Sequence, residues 1–219
     1  VALLMAANRA DWFGDSPGVL RQFARLGLRM ITIGQATREL GWDPSDEVRS
    51  GGRLTELGVR MIAEMNQAGI LIDLAHSNDP CALDVIDISE VPVVDTHSGP
   101  RALSPDDARA MPDDVMRAMS KQGGMLGISP PISRPPGEFS FDTINPEEMA
   151  TTLKQLHYAV DMMGVAAVGI GTHFTTAIMP ALTDALLDYG FSEEDTAAIM
   201  GGNFLRVLRQ VLPKEETIA

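Results

Sequence analysis

Cysteine is nearly absent from this chain: there is one thiol, Cys81, in 219 residues. A single thiol cannot close an internal disulfide, so cysteine usage gives no sign of an oxidising compartment. In the stretch Asp79-Pro80-Cys81-Ala82-Leu83 it falls on the expected first turn of a helix and reads as a packing residue. Basic residues are scarce as well. The chain has 17 Lys plus Arg against 30 Asp plus Glu, for a formal net charge of −13. Without a basic cluster there is no footprint for nucleic acid and no polybasic patch for a lipid surface; the acidity reads as an aid to solubility. No apolar run approaches the roughly 20 residues of a membrane-spanning helix. The opening Val1-Ala2-Leu3-Leu4-Met5 has no basic region and no cleavage signature, so no signal peptide is visible and a cytoplasmic location is expected. The first residue is not Met and the first segment already reads as a core strand, so the chain is expected to be a fragment or a processed product. No Gly-x-Gly-x-x-Gly fingerprint follows a strand and no phosphate loop occurs, which weighs against a nucleotide-binding open sheet.

What is present is the composition of a folded domain, 45% hydrophobic and 21% charged, expected to form one unit over residues 1–219. Short apolar runs at Val1 to Ala6, Arg29 to Ile33, Gly69 to Leu74, Val91 to Val94, Gly124 to Ile128 and Ala166 to Ile170 do not alternate with polar residues. Strands buried on both faces read this way. Helical stretches separate them. Ser16-Pro17 opens the first, with Leu20, Phe23, Ala24 and Leu26 facing inward and Gly27 as the stop. Thr55 opens the second and Gly69 ends it; Pro112-Asp113-Asp114 opens another, closed by Gly123-Gly124. Asn145, Pro146 and Glu148 form the signature of a capping box, ahead of a stripe of Met149, Leu153, Leu156, Val160 and Met163. Three helices are expected after the last strand: Pro180 to Tyr189, Ser192 to Met200 and Asn203 to Leu212. The proline-rich stretch from Ser129 to Gly137 is predicted to be a loop leaving a strand end. Repeated strand–helix alternation predicts a parallel sheet with helices outside, in an α/β fold. About six strands are countable, where a complete (β/α)8 TIM-type barrel has eight.

Three of the four histidines share a position. His76 follows Leu71-Ile72-Asp73-Leu74-Ala75, His97 follows Val93-Val94-Asp95-Thr96, and His173 follows Val168-Gly169-Ile170-Gly171-Thr172. Each lies at the carboxyl end of a predicted parallel strand, where barrels and open α/β sheets gather their ligands. Three imidazoles at one mouth suit either a metal site or acid–base chemistry. His157 falls in the middle of a helix and reads as structural or surface.

Several ordered strings carry a resemblance. They are Leu54-Thr55-Glu56-Leu57-Gly58 through Ile72-Asp73-Leu74-Ala75-His76-Ser77, then Val93-Val94-Asp95-Thr96-His97-Ser98-Gly99-Pro100-Arg101, then Arg109-Ala110-Met111-Pro112-Asp113-Asp114. Val168-Gly169-Ile170-Gly171-Thr172-His173-Phe174 and Gly201-Gly202-Asn203-Phe204-Leu205-Arg206 complete the set. Together they resemble the membrane dipeptidase (renal dipeptidase) family of zinc peptidases over nearly the whole chain. The resemblance implies a (β/α)8 barrel with two zinc ions at its mouth, hydrolysing dipeptides. By the same resemblance His76 and His97 match the two histidines of the second zinc, and Arg109 matches the arginine that receives the substrate carboxylate.

The sequence departs from that family pattern where the resemblance would place negative ligands. The His-x-Asp pair of the first family strand has no counterpart. The bridging glutamate falls at Met5-Ala6-Ala7-Asn8-Arg9, so Asn8 or an alanine stands there. Gln35 replaces an expected substrate-contacting histidine. His173 replaces the aspartate that accepts the proton of the attacking water; it is a candidate third nitrogen ligand or a replacement general base. Two zincs need negative ligands to offset their charge. At most one zinc per chain is therefore expected, with doubtful activity on a small peptide substrate. The alternative is a non-catalytic barrel acting in binding or structure. An incomplete barrel leaves an open edge, so a homo-oligomer or a further segment is expected to cover it.

Overall fold

The computed structural model describes residues 3–34, 38–47, 50–131, 143–172 and 176–213. Six parallel strands run in sequence order across one sheet: β1 (Met5–Ala7), β2 (Leu28–Thr32), β3 (Leu71–Asp73), β4 (Val94–Ser98), β5 (Met125–Ile128) and β6 (Val168–Ile170). Helices α1 (Pro17–Arg25), α2 (Glu56–Ala68), α3 (Asp79–Ile88), α4 (Asp113–Gln122) and α5 (Pro146–Met163) form the crossovers. The sequence closes with α6 (Met179–Tyr189), α7 (Glu193–Ala197) and α8 (Asn203–Val211), as the all-helical tail predicted. This is the α/β architecture of a (β/α)8 barrel, present as six strands. None of the helices among the described residues is long and apolar enough to cross a membrane.

The helix starts have local causes. Thr55 accepts a hydrogen bond from the Gly58 amide, and Asn78 from the Cys81 amide. Asn145 and Glu148 form the expected capping box. Cys81 lies in the first turn of α3, fully buried, as read from its neighbours. The unalternating runs are explained by burial on two faces. Ile31, Ile72 and Leu126 join the large core, which takes in residues of α1 to α5. Leu71, Val94 and Met125 point the other way and pack with Val207 and Val211 of α8.

Three readings need correction. The fourth strand is Val94–Ser98, not Val91 to Val94, so His97 lies within the strand end and not beyond it. Phe23 and Leu26 of the first helix are exposed, and only Leu20 and Ala24 of that helix face are buried. On α5 the predicted stripe does face the core, with Leu156 and Met163 buried and Leu153 and Val160 packed against it, but the buried line also takes in Glu148, Thr152, Gln155 and Ala159, which the apolar pattern did not include. Of the predicted proline-rich loop, residues 132–137 lie outside the described residues.

Candidate active site

Two β-strand ends build the centre. At the end of β3, Asp73 is fully buried and accepts four hydrogen bonds. Its Oδ1 takes the Thr96 amide at 2.9 Å and the Ala75 amide at 3.1 Å; its Oδ2 takes the hydroxyls of Thr32 and Thr96, each at 2.7 Å. One carboxylate thus ties together β2, β3 and β4. After Ala75 the backbone turns sharply: His76 has a φ of 66°, the left-handed region that β-carbon-bearing residues avoid. Gly34, just past β2, makes this turn possible, because a β-carbon there would stand 2.4 Å from the His76 carbonyl carbon.

The turn brings His76 against His97, Nε2 to Nε2 at 3.1 Å, with the rings edge to face. The tautomer of His97 follows from hydrogen-bond bookkeeping. The Thr96 hydroxyl gives its proton to Asp73, so at 2.7 Å from His97 Nδ1 it can only accept, and Nδ1 carries the hydrogen. His97 Nε2 therefore turns a lone pair toward His76. Two arrangements satisfy the contact: a His76 Nε2–H donating to it, or two lone pairs converging on one cation. Burial, and then the nearby charge of Arg109, hold His76 below the usual imidazole pKa, which favours its neutral, ligand form. Asp95 is buried beside them and accepts from the His97 amide at 3.1 Å and the Ser98 hydroxyl at 2.9 Å. Burial, reinforced by the charge of Asp73, pushes its carboxyl up to about 7.

Arg109 comes from the loop that rises out of β4. That loop is closed at its base, where the Met111 amide donates to the Gly99 carbonyl at 2.8 Å and the Arg101 amide to the Met111 carbonyl at 2.9 Å. Arg109 is about half exposed, with Nε 3.4 Å from Asp107 Oδ1. It shares with His97 a cleft of about 280 Å³. His76, His97 and Arg109 are thus brought to one mouth. Asn8 follows β1 at the same carboxyl edge, two strands away from β3, and is exposed. Gln35 and His173 lie outside the described residues. His157 sits on the exposed side of α5, 3.2 Å from Asp161. Among the described residues no cluster of three or more His, Cys, Asp or Glu side chains converges as a metal site; the donor set shown is the His76–His97 pair.

Residues that sequence reading passed over complete the picture. Asp73 and Asp95 each precede a histidine, in Asp73-Leu74-Ala75-His76 and Asp95-Thr96-His97. An acid at the end of an apolar run is itself a signal, since a buried carboxylate requires dedicated partners. Gln155 of α5 also borders the cleft.

The family model described as membrane dipeptidase (peptidase family M19) matches residues 1–218, and the chain belongs to that family. Dipeptidase tcpJ of Claviceps purpurea is 31% identical over 225 residues, covering 96% of this chain and 51% of that protein. The chain spans about half the length of the curated relatives it matches. Among solved structures, an amidohydrolase from Pseudomonas aeruginosa superposes with a TM-score of 0.83 at 26% identity, over 96% of this chain and 73% of the other. A metallo peptidase from Rhodobacter sphaeroides, liganded with a phosphinate mimic of the dipeptide L-Ala-D-Ala, gives 0.82 at 26% identity, over 95% and 63%.

Proposed function

We propose that this chain carries part of a zinc-dependent, dipeptidase-like site, built around one ion and not two. The observation that carries this reading is the 3.1 Å approach of His76 Nε2 to His97 Nε2. Two nitrogens on a single tetrahedral zinc stand roughly 3.3 Å apart. The pair therefore fits one ion with little adjustment, and Thr96, backed by Asp73, holds the His97 ring in the tautomer that such an ion requires. Bound there, zinc supplies Lewis-acid polarisation of a peptide carbonyl.

The chain's own groups have separate tasks in this reading. Arg109 offers its planar guanidinium to the substrate carboxylate, in exchange for its long contact with Asp107. His173 serves as a third nitrogen ligand or as the base toward water. Asn8, an amide where the family resemblance implies a bridging carboxylate, cannot offset the charge of a second dication. Hydrolysis by this chain alone is accordingly expected to be slight.

Elemental analysis together with hydrolysis of Gly-Leu tests the reading. The expected result is at most one zinc per chain, lost in a His76→Ala or His97→Ala variant, with little turnover. Restoring one carboxylate through Asn8→Glu is expected to leave turnover low. Two tightly held zincs with rapid, chelator-sensitive hydrolysis would overturn it.

A further inference from the structure

The cleft shared by His97 and Arg109 has a wall that fold stability does not account for. Gln155 reaches it from the buried face of α5 and is only 6% exposed. Its Oε1 is buried without a hydrogen-bond partner among the described residues. A buried, unpaired amide oxygen is costly, and native proteins rarely leave one without a reason. Gly99 leaves the room this side chain occupies: a β-carbon there would stand 3.2 Å from Gln155 Nε2 and 3.4 Å from its Cδ. Ser104 and Ser129 add hydroxyls to the same lining. A carboxamide with an unsatisfied acceptor, beside an arginine suited to a carboxylate, suits a ligand whose next side chain can hydrogen-bond.

We propose that Gln155 is a specificity-determining residue, whose carboxamide selects a hydrogen-bonding side chain on the residue whose carboxylate Arg109 holds. This rests on the dipeptide reading of the site. The ligand class is a dipeptide ending in Asn, Gln, Ser or Thr, preferred over an apolar residue of similar shape. An apolar side chain in that position leaves the Gln155 amide unpaired, and sites built to hydrogen-bond reject such analogues.

Calorimetric titration of the full chain with Gly-Asn and Gly-Leu, which are near isosteres, provides the test. The wild-type protein is expected to favour Gly-Asn by roughly ten-fold or more. Gln155→Met should abolish the preference and keep or raise the melting temperature, because it removes an unpaired buried amide. Gly99→Ala, which crowds the carboxamide without removing it, should reduce the preference. Arg109→Leu should weaken both dipeptides by a similar factor. Equal, Arg109-dependent binding of the two dipeptides by wild-type protein overturns this inference and leaves the dipeptide reading standing. Absence of Arg109-dependent binding overturns both. A lower melting temperature in Gln155→Met with the preference intact assigns the residue to the fold and overturns the inference.

Discussion

His76 is the one residue other than glycine with a positive φ among the described residues, and it is also the residue that meets His97. The left-handed conformation costs a residue with a β-carbon roughly 1–2 kcal/mol. Strain held at a side chain that meets another ionisable group is a mark of function more than of folding. His76→Gly and His76→Ala both delete the ring, but only glycine relaxes the backbone. The glycine variant is expected to be the more stable by about 1 kcal/mol in urea unfolding. Gly34→Ala should be far worse, because its β-carbon meets backbone atoms of His76 and Ser77 that have nowhere to retreat. A loss of about 3 kcal/mol or more is expected, with zinc content falling alongside. Cys81 gives a separate readout. Burial pushes its thiol up to about 11, while the Asp43 amide, 3.3 Å from Sγ, works in the opposite direction. The folded state keeps that proton to higher pH than the unfolded chain. Its contribution is thus present below the ordinary thiol value of 9.0 and is lost as pH rises toward 11. Roughly 2–3 kcal/mol of alkaline destabilisation should disappear in Cys81→Ala, and native labelling by a thiol reagent at pH 8 should be negligible.

At the scale of elements, capping chemistry was easier to read than orientation. Asn145, Pro146 and Glu148 marked the start of α5 because their side chains act on their own backbone, a purely local effect. Asn145→Ala is therefore expected to cost about 1 kcal/mol, visible as a lowered melting temperature. The polar part of the same helix's buried face was not legible. The apolar stripe reaches the core through Leu153, Leu156, Val160 and Met163, yet Thr152 and Gln155 turn inward beside it, because partners elsewhere in the fold decide what the rest of the buried face meets. The end of β4 shows the same limit. Asp95, Thr96, His97 and Ser98 are polar and read as residues beyond the strand. They remain in the sheet because Asp73 satisfies Thr96 from the neighbouring strand and Asp95 satisfies His97 and Ser98 along their own. His76 and His97 were legible as strand-end residues, and Arg109 through the family resemblance. The Asp73–Thr96 support was not, since it depends on a register between β3 and β4 that no local pattern encodes.

For the whole molecule the sheet's two edges govern how the chain meets its neighbours. β1 pairs with β2 and β6 with β5, and the six strands run in order between them. A barrel of this class closes with eight strands, so among the described residues the outer edges of β1 and β6 have no strand beside them. Bare apolar groups are frequent at β1 and in the crossover that follows it. Leu3 is 95% exposed, Met5 55%, Trp12 63% and Leu26 72%. Unpaired amides and carbonyls beside bare apolar side chains are a template for association, and proteins that stay monomeric usually blunt such an edge with lysine or proline. None of the residues of β1 is charged or proline. The purified chain is accordingly expected to sediment as a species larger than the monomer, with a size that depends on concentration. A charge at the edge should counter this: Met5→Lys is expected to shift the population toward monomer. Zinc content should stay as in the wild type, because Met5 lies two strands away from the His76–His97 pair. A wild-type chain that sediments as a monomer at every concentration, with this edge uncovered, would show that the strand is shielded in some way its exposure does not reveal. In that case the reading of the six-strand sheet as an association-prone surface would fail, while the proposed single-ion site at the His76–His97 pair, supported from β2, β3 and β4 through Asp73, would stand.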